Sequence, residues 1–135
     1  MHQQLRGKGC RPSTQDQSIR TFRGTRRPDV LIECGPRDDR SLAASEPRVV
    51  IEVLSPSTTR YDRVEKLAEY QAHEAIRVIL LVNTEAPVVS VWRRLEDGRW
   101  NTEIAESLGA VIPLPEIEAE LPLAELYLDL SFDQA

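Results

Sequence analysis

Two dense apolar runs organise this chain. Residues 48–54 are largely β-branched and continuous, with Glu52 the one charge inside Val49-Val50-Ile51-Glu52-Val53-Leu54, and Val78-Ile79-Leu80-Leu81-Val82 is apolar throughout. Runs of this length without alternation predict strands covered on both faces. Between them, Ser55-Pro56-Ser57-Thr58-Thr59 stops the first strand and offers helix N-cap residues. A helix then runs to about His73, with an apolar face at Tyr61, Val64, Leu67 and Ala68 that continues to Ala75. Strand, helix and strand, with both strands buried, predict a parallel βαβ crossover.

The flanks are less regular. Leu5-Arg6-Gly7-Lys8-Gly9 reads as the end of a helix within residues 1–10. Residues 17–23 alternate modestly at Ile19 and Thr21 and predict a strand. Arg23-Gly24-Thr25-Arg26 is a turn, and residues 29–34 form a second strand, giving a hairpin. Gly35 to Pro47 is a polar loop. After the core, Asn83–Pro87 turns the chain into a strand at Val88–Trp92. Leu95–Arg99 is a hairpin turn centred on Asp97-Gly98, and Trp100–Ile104 pairs back, with Trp92 facing Trp100 as a packing pair. Ile112-Pro113-Leu114-Pro115 is extended, and Leu121-Pro122-Leu123 leads into a short helix at Ala124–Tyr127. The order β-β-β-α-β-β-β predicts an α/β domain with a mixed sheet, and a length of 135 residues fits one domain over 1–135.

Composition narrows the class. At 41% hydrophobic and 29% charged, the chain is expected to be globular rather than disordered. No apolar run approaches the ~20 residues of a membrane helix. Met1-His2-Gln3-Gln4 opens no signal core, so a cytoplasmic protein without membrane association is expected. Cys10 and Cys34 form no Cys-x-x-Cys pair and have only His2 and His73 as possible co-ligands, which argues against zinc. A reducing compartment predicts two free thiols. The net charge of −5 is uneven: residues 1–28 hold seven Lys or Arg and a single acid, Asp16. Such a basic arm is a solvated hairpin or a phosphate-facing surface, and charge by itself favours the former.

The chemistry concentrates on two carboxylates. Asp29 stands in Pro28-Asp29-Val30-Leu31-Ile32, and Glu52 is the charge inside its strand. Asp29 after a proline could be a turn residue. Glu52 is harder to dismiss, because a buried carboxylate needs a Lys or Arg partner or a metal. Hard cations such as Mg²⁺ or Mn²⁺ take oxygen ligands, and Asp29, Glu52 and the Val53 backbone carbonyl could supply three. On the helix, Asp62, Lys66 and Tyr70 fall at i, i+4 and i+8, nearly on one face. Asp62-Lys66 could be an exposed ion pair worth ~0.3–0.5 kcal/mol. The first turns nevertheless lie at the strand end where α/β proteins bind ligands, so Lys66 can point toward Glu52. His73 reads as a helix-end residue. Ser55 and Ser57 have no histidine placed near them, and no Gly-rich phosphate loop is present.

Taken in order, Arg27-Pro28-Asp29-Val30, then Val50-Ile51-Glu52-Val53-Leu54-Ser55-Pro56-Ser57-Thr58, then Tyr61-Asp62-Arg63 with Lys66 and Tyr70, resemble the Uma-type putative restriction endonucleases of the PD-(D/E)XK nuclease superfamily. Val88-Val89-Ser90-Val91-Trp92-Arg93-Arg94 and the closing Leu-Pro segments fit as well, so the resemblance spans about residues 5–130. It implies a restriction-endonuclease-like core with a mixed sheet and flanking helices. Asp29 and Glu52 match the two metal-binding carboxylates. The lysine usual two residues after the Glu is replaced here by Leu54, and Lys66 looks like its substitute; Asp62 and Tyr70 match supporting positions. Relative to the family pattern, an N-terminal region with a further acid is expected to be missing. The implied activity is Mg²⁺-dependent (or Mn²⁺-dependent) hydrolysis of DNA by a cytoplasmic homodimer, with Arg20, Arg23, Arg26 and Arg27 as DNA contacts. The alternative is an inactive module of the same fold that binds nucleic acid or a protein partner.

Overall fold

The computed structural model describes residues 9–13, 17–35, 43–44 and 46–129. The fold is mixed α/β. A six-stranded sheet runs in the order β1 (Cys10–Ser13), β4 (Val30–Cys34), β5 (Pro47–Leu54), β6 (Val78–Asn83), β7 (Val88–Arg94) and β8 (Trp100–Glu106). β5 and β6 are parallel, with Glu52 opposite Leu81, and the other neighbours are antiparallel. The crossover between β5 and β6 is helix α1 (Arg60–Gln71), as the two apolar runs predict.

Both faces of β5 are covered. On one side Val49 and Ile51 join Leu80, Val82, Val89 and Val91, and this layer packs under the small sheet of β9 (Val111–Leu114) and β10 (Ala119–Pro122) and helix α2 (Leu123–Asp129). On the other, Val50 and Ile79 pack with Tyr70 of α1 and with Ile19 of β2 (Ile19–Thr21), which pairs with β3 (Gly24–Arg26) as a separate hairpin. Alternation along β5 therefore puts Glu52 on the α1 side, together with Val50 and Leu54.

Thr59 caps α1, its hydroxyl accepting from the Asp62 amide at 3.0 Å. Arg94 of β7 closes the other end. Its guanidinium donates to the carbonyls of Gln71 (3.0 Å), His73 (2.8 Å) and Ile76 (3.0 Å) and lies 4.5 Å from the Trp100 ring centroid.

Several expectations need correction. The strand at Val30–Cys34 is not the hairpin partner of residues 19–21; β2 pairs with β3, and β4 pairs with β1 and β5. The thiols are not free. The β1–β4 register sets Cys10 opposite Cys34, and the two form a disulfide. The buried face of α1 is not the expected one. Tyr61 and Val64 are 68% and 58% exposed, whereas Glu69 and Tyr70 are each 1% exposed. Trp100 pairs with Arg94 and Trp92 with Thr102, so the two indoles are diagonal on one face rather than opposite. The helix end expected at Leu5–Gly9 lies, except for Gly9, outside the described residues, as does most of the Gly35–Pro47 loop. No described helix is long and apolar enough to cross a membrane.

Candidate active site

Three elements bring Asp29, Glu52 and Lys66 together. Asp29 stands at the bend between β3 and β4, just after buried Pro28. Its Oδ2 accepts a hydrogen bond from the Val53 amide at 2.7 Å. In return the Asp29 amide donates to Glu52 Oε1 at 3.1 Å. These reciprocal bonds lock the Asp29 bend onto the end of β5. The other Glu52 oxygen, Oε2, lies 3.0 Å from Lys66 Nζ. Leu54 shares the face of Glu52, so a lysine at position 54 would have risen beside it; α1 crosses that same face and delivers Lys66 instead.

The electrostatics are unbalanced. Glu52 is 4% exposed. Burial pushes its carboxyl above the ordinary carboxylate value, the Lys66 ammonium pulls it back only in part, and the Asp29 charge pushes it up again. Tyr70 lies beneath, with its hydroxyl buried and without a hydrogen-bond partner among the described residues, and burial raises its pKa further, with the Glu52 charge adding to the effect. Asp62 is exposed on the first turn of α1, one turn before Lys66.

The arginines divide. Arg20 and Arg27 are exposed. Arg23 is paired with Glu65 of α1. Arg26 forks onto Glu69, with Nε at 3.0 Å from Oε2 and Nη2 on the same oxygen, while Thr21 donates to Glu69 Oε1 at 2.5 Å. The Arg26 guanidinium holds the Glu69 carboxyl below the ordinary range despite its burial. Glu69 escaped the sequence reading, although its spacing of three from Lys66 put it on the same helix face.

The donor set consists of hard oxygens: two carboxylates, with the Val53 carbonyl adjacent. That chemistry suits a small divalent cation better than zinc. Among the described residues no group of three or more His, Cys, Asp or Glu side chains is placed to hold a metal, so the described side chains contribute at most two ligands here.

Comparison with known proteins gives the family and the fold. A family model described as Uma2, putative restriction endonuclease, matches residues 2–125. An uncharacterised protein of Synechocystis sp. (strain ATCC 27184 / PCC 6803 / Kazusa) is 38% identical over 74 residues, which are 54% of this chain and 39% of the relative. The match thus spans about two fifths of that relative's length. The crystal structure of a putative nuclease belonging to DUF820 from Anabaena variabilis superposes with a TM-score of 0.72 at 18% identity, over 93% of this chain and 72% of that one. At that identity the likeness establishes the fold.

Proposed function

This chain belongs to the Uma2 family of putative restriction endonucleases, and from that premise we propose that it is a divalent-metal-dependent endonuclease hydrolysing DNA phosphodiester bonds. The observation that carries the reading is the convergence of Asp29, Glu52 and Lys66 from a bend, a strand end and a helix within direct hydrogen-bonding range. Asp29, Glu52 and the Val53 carbonyl would hold Mg²⁺ or Mn²⁺, which when bound supplies charge neutralisation at the phosphate and a lowered pKa for the attacking water. Lys66 draws Glu52 toward its ionised form against its burial, and its remaining N–H donors would serve a water or a phosphate oxygen. Asp62, on the exposed turn, and Tyr70, beneath the carboxylates, are supporting residues. Exposed Arg20 and Arg27, with Arg23 beside them, offer cations to the phosphate backbone. We extend the reading to a homodimer, since β8 is an edge of the sheet and carries Ile104 at 54% exposure.

A second reading is a non-catalytic module of this fold. Leu54 in the place of the usual lysine, and a side-chain ligand set of two among the described residues, favour it. Supercoiled plasmid with Mg²⁺ or Mn²⁺ separates the two. The nuclease reading expects nicking by the wild type and a loss of ~10²-fold or more in Glu52→Ala and Lys66→Ala. Calorimetric titration with Mg²⁺ or Mn²⁺ should give a binding signal that Glu52→Ala abolishes. No cleavage and no such signal would leave the module.

A further inference from the structure

We propose that Glu69 and Arg26 form a buried strut that positions Asp29, so that one helix sets both carboxylates of the site. The inference rests on the reading that Asp29 belongs to that site, and it assigns Glu69 and Arg26 as positioning residues. Glu69 is 1% exposed. A carboxylate so buried is retained at a cost unless its oxygens are satisfied. Here both are: Oε2 takes two bonds from the Arg26 fork, and Oε1 takes the Thr21 hydroxyl. Thr21 ends β2 beside the turn and Arg26 ends β3 at the open end of the hairpin, opposite Ile19, so both ends of the hairpin are tied to α1 through one side chain.

What lies beyond Arg26 gives the pinning its consequence. Arg26 ends β3, and Asp29 follows three residues later. Only Arg27 and Pro28 intervene. Pro28 is buried, and its ring fixes φ, which makes this link stiff. The position of Arg26 is therefore passed to Asp29, whose carboxylate and amide make the reciprocal bonds to Val53 and Glu52. Lys66, three residues before Glu69 on the same helix, holds Glu52 directly. The helix thus grips the site at two points, through Lys66 to Glu52 and through Glu69 and Arg26 to Asp29. The neighbouring Arg23–Glu65 pair, with Arg23 53% exposed, is screened by solvent and does not substitute for the buried tie. Arg26 on this account serves Asp29 rather than a phosphate.

Amide hydrogen exchange of metal-free protein reads the strut without any activity. In Glu69→Gln and in Arg26→Met, protection of the Val53 amide should fall at least ~10-fold, while the sheet amides of Leu80 and Val91 stay within about twofold. Mg²⁺ affinity by titration should fall ~10-fold or more, as for residues that orient metal ligands. Arg26 is 30% exposed at its side chain, so Arg26→Met carries the test should Glu69→Gln not fold. Unchanged Val53 protection overturns the strut, and so does an equal loss over the whole sheet, which would make the tie merely structural. Absence of Mg²⁺ binding in the wild type would count against the metal reading alone, because the exchange result does not depend on it.

Discussion

Glu52 and Glu69 are buried carboxylates on facing elements, yet their environments act on them in opposite directions. Arg26 and Thr21 more than offset the burial of Glu69, so its carboxyl is held below the ordinary value of 4.5. Glu69 stabilises the fold above that pH, and the contribution is lost as the pH falls through its lowered pKa. For Glu52 burial outweighs Lys66, and the carboxyl is raised above 4.5. The folded state therefore binds the Glu52 proton more tightly than the unfolded state, and stability present below 4.5 is lost as the pH rises through the raised pKa. Ionised Glu52 is thus a cost to the fold at neutral pH, as expected of a residue kept for its chemistry. Replacing it with the neutral isostere should stabilise the protein at pH 7, with the gain vanishing toward pH 4. Urea unfolding of wild type and Glu52→Gln across that range checks the sign; a destabilised Glu52→Gln at pH 7 would mean that the Lys66 pair outweighs burial. The sequence made Glu52 legible because a charge inside a β-branched run has few explanations. It hid Glu69, because a Glu in a helix full of charges has many.

At the scale of elements, the parallel crossover was readable and the face of its helix was not. The β5 and β6 runs are apolar but for Glu52, so they had to be covered on both sides, and the parallel pairing follows from the short helix between them. The face of α1 was misread because Tyr61, Val64, Leu67 and Ala68 look like an apolar stripe, while the actual contact with the sheet is made by Tyr70 with partial burial of Leu67 and Lys66. The helix is turned so that Lys66 meets Glu52 and Glu69 meets Arg26, and polar partners across elements leave no periodic trace. The same holds for Arg94, whose fork collects three carbonyls at the C-terminal end of α1 while stacking on Trp100. The sequence suggested His73 for that end; the structure uses His73 Nδ1 to accept from the Ala75 amide and leaves the closing to Arg94. Arg94→Ala should cost about 2–3 kcal/mol, since it strands three part-buried carbonyls and removes a cation–π contact. Arg94→Lys should recover less than half of that, because an ammonium cannot reproduce the planar fork. Thermal unfolding of the two variants checks both numbers; full recovery by lysine would reduce the role of Arg94 to its charge.

For the whole molecule, the disulfide between Cys10 and Cys34 is the feature furthest from the sequence reading. The β2–β3 hairpin is inserted between β1 and β4, so the strand that pairs with Val30–Cys34 lies one hairpin further back than local turn signals indicate. Cysteines 24 positions apart, with no motif, gave no sign of that register. The bridge ties an edge strand to the sheet, beside a second link in which Arg11 donates to Glu33 at 3.2 Å and to the Gly35 carbonyl at 2.9 Å. It also closes the loop that contains the hairpin and Asp29, so the constraint falls on the part of the chain that feeds the site. Removing such a cross-link frees the unfolded chain by about 3 kcal/mol in the loop-entropy account. For a chain of this size that corresponds to a loss of roughly 10 °C in Tm. Protein purified without reductant should therefore show no reactive thiol even when denatured, show two after reduction, and melt earlier in dithiothreitol. Cys10→Ser should melt as the reduced wild type does and be indifferent to reductant. Two reactive thiols in the unreduced protein, or a Tm that dithiothreitol leaves unmoved, would show that the sheet holds β1 through its ladder and Arg11 alone.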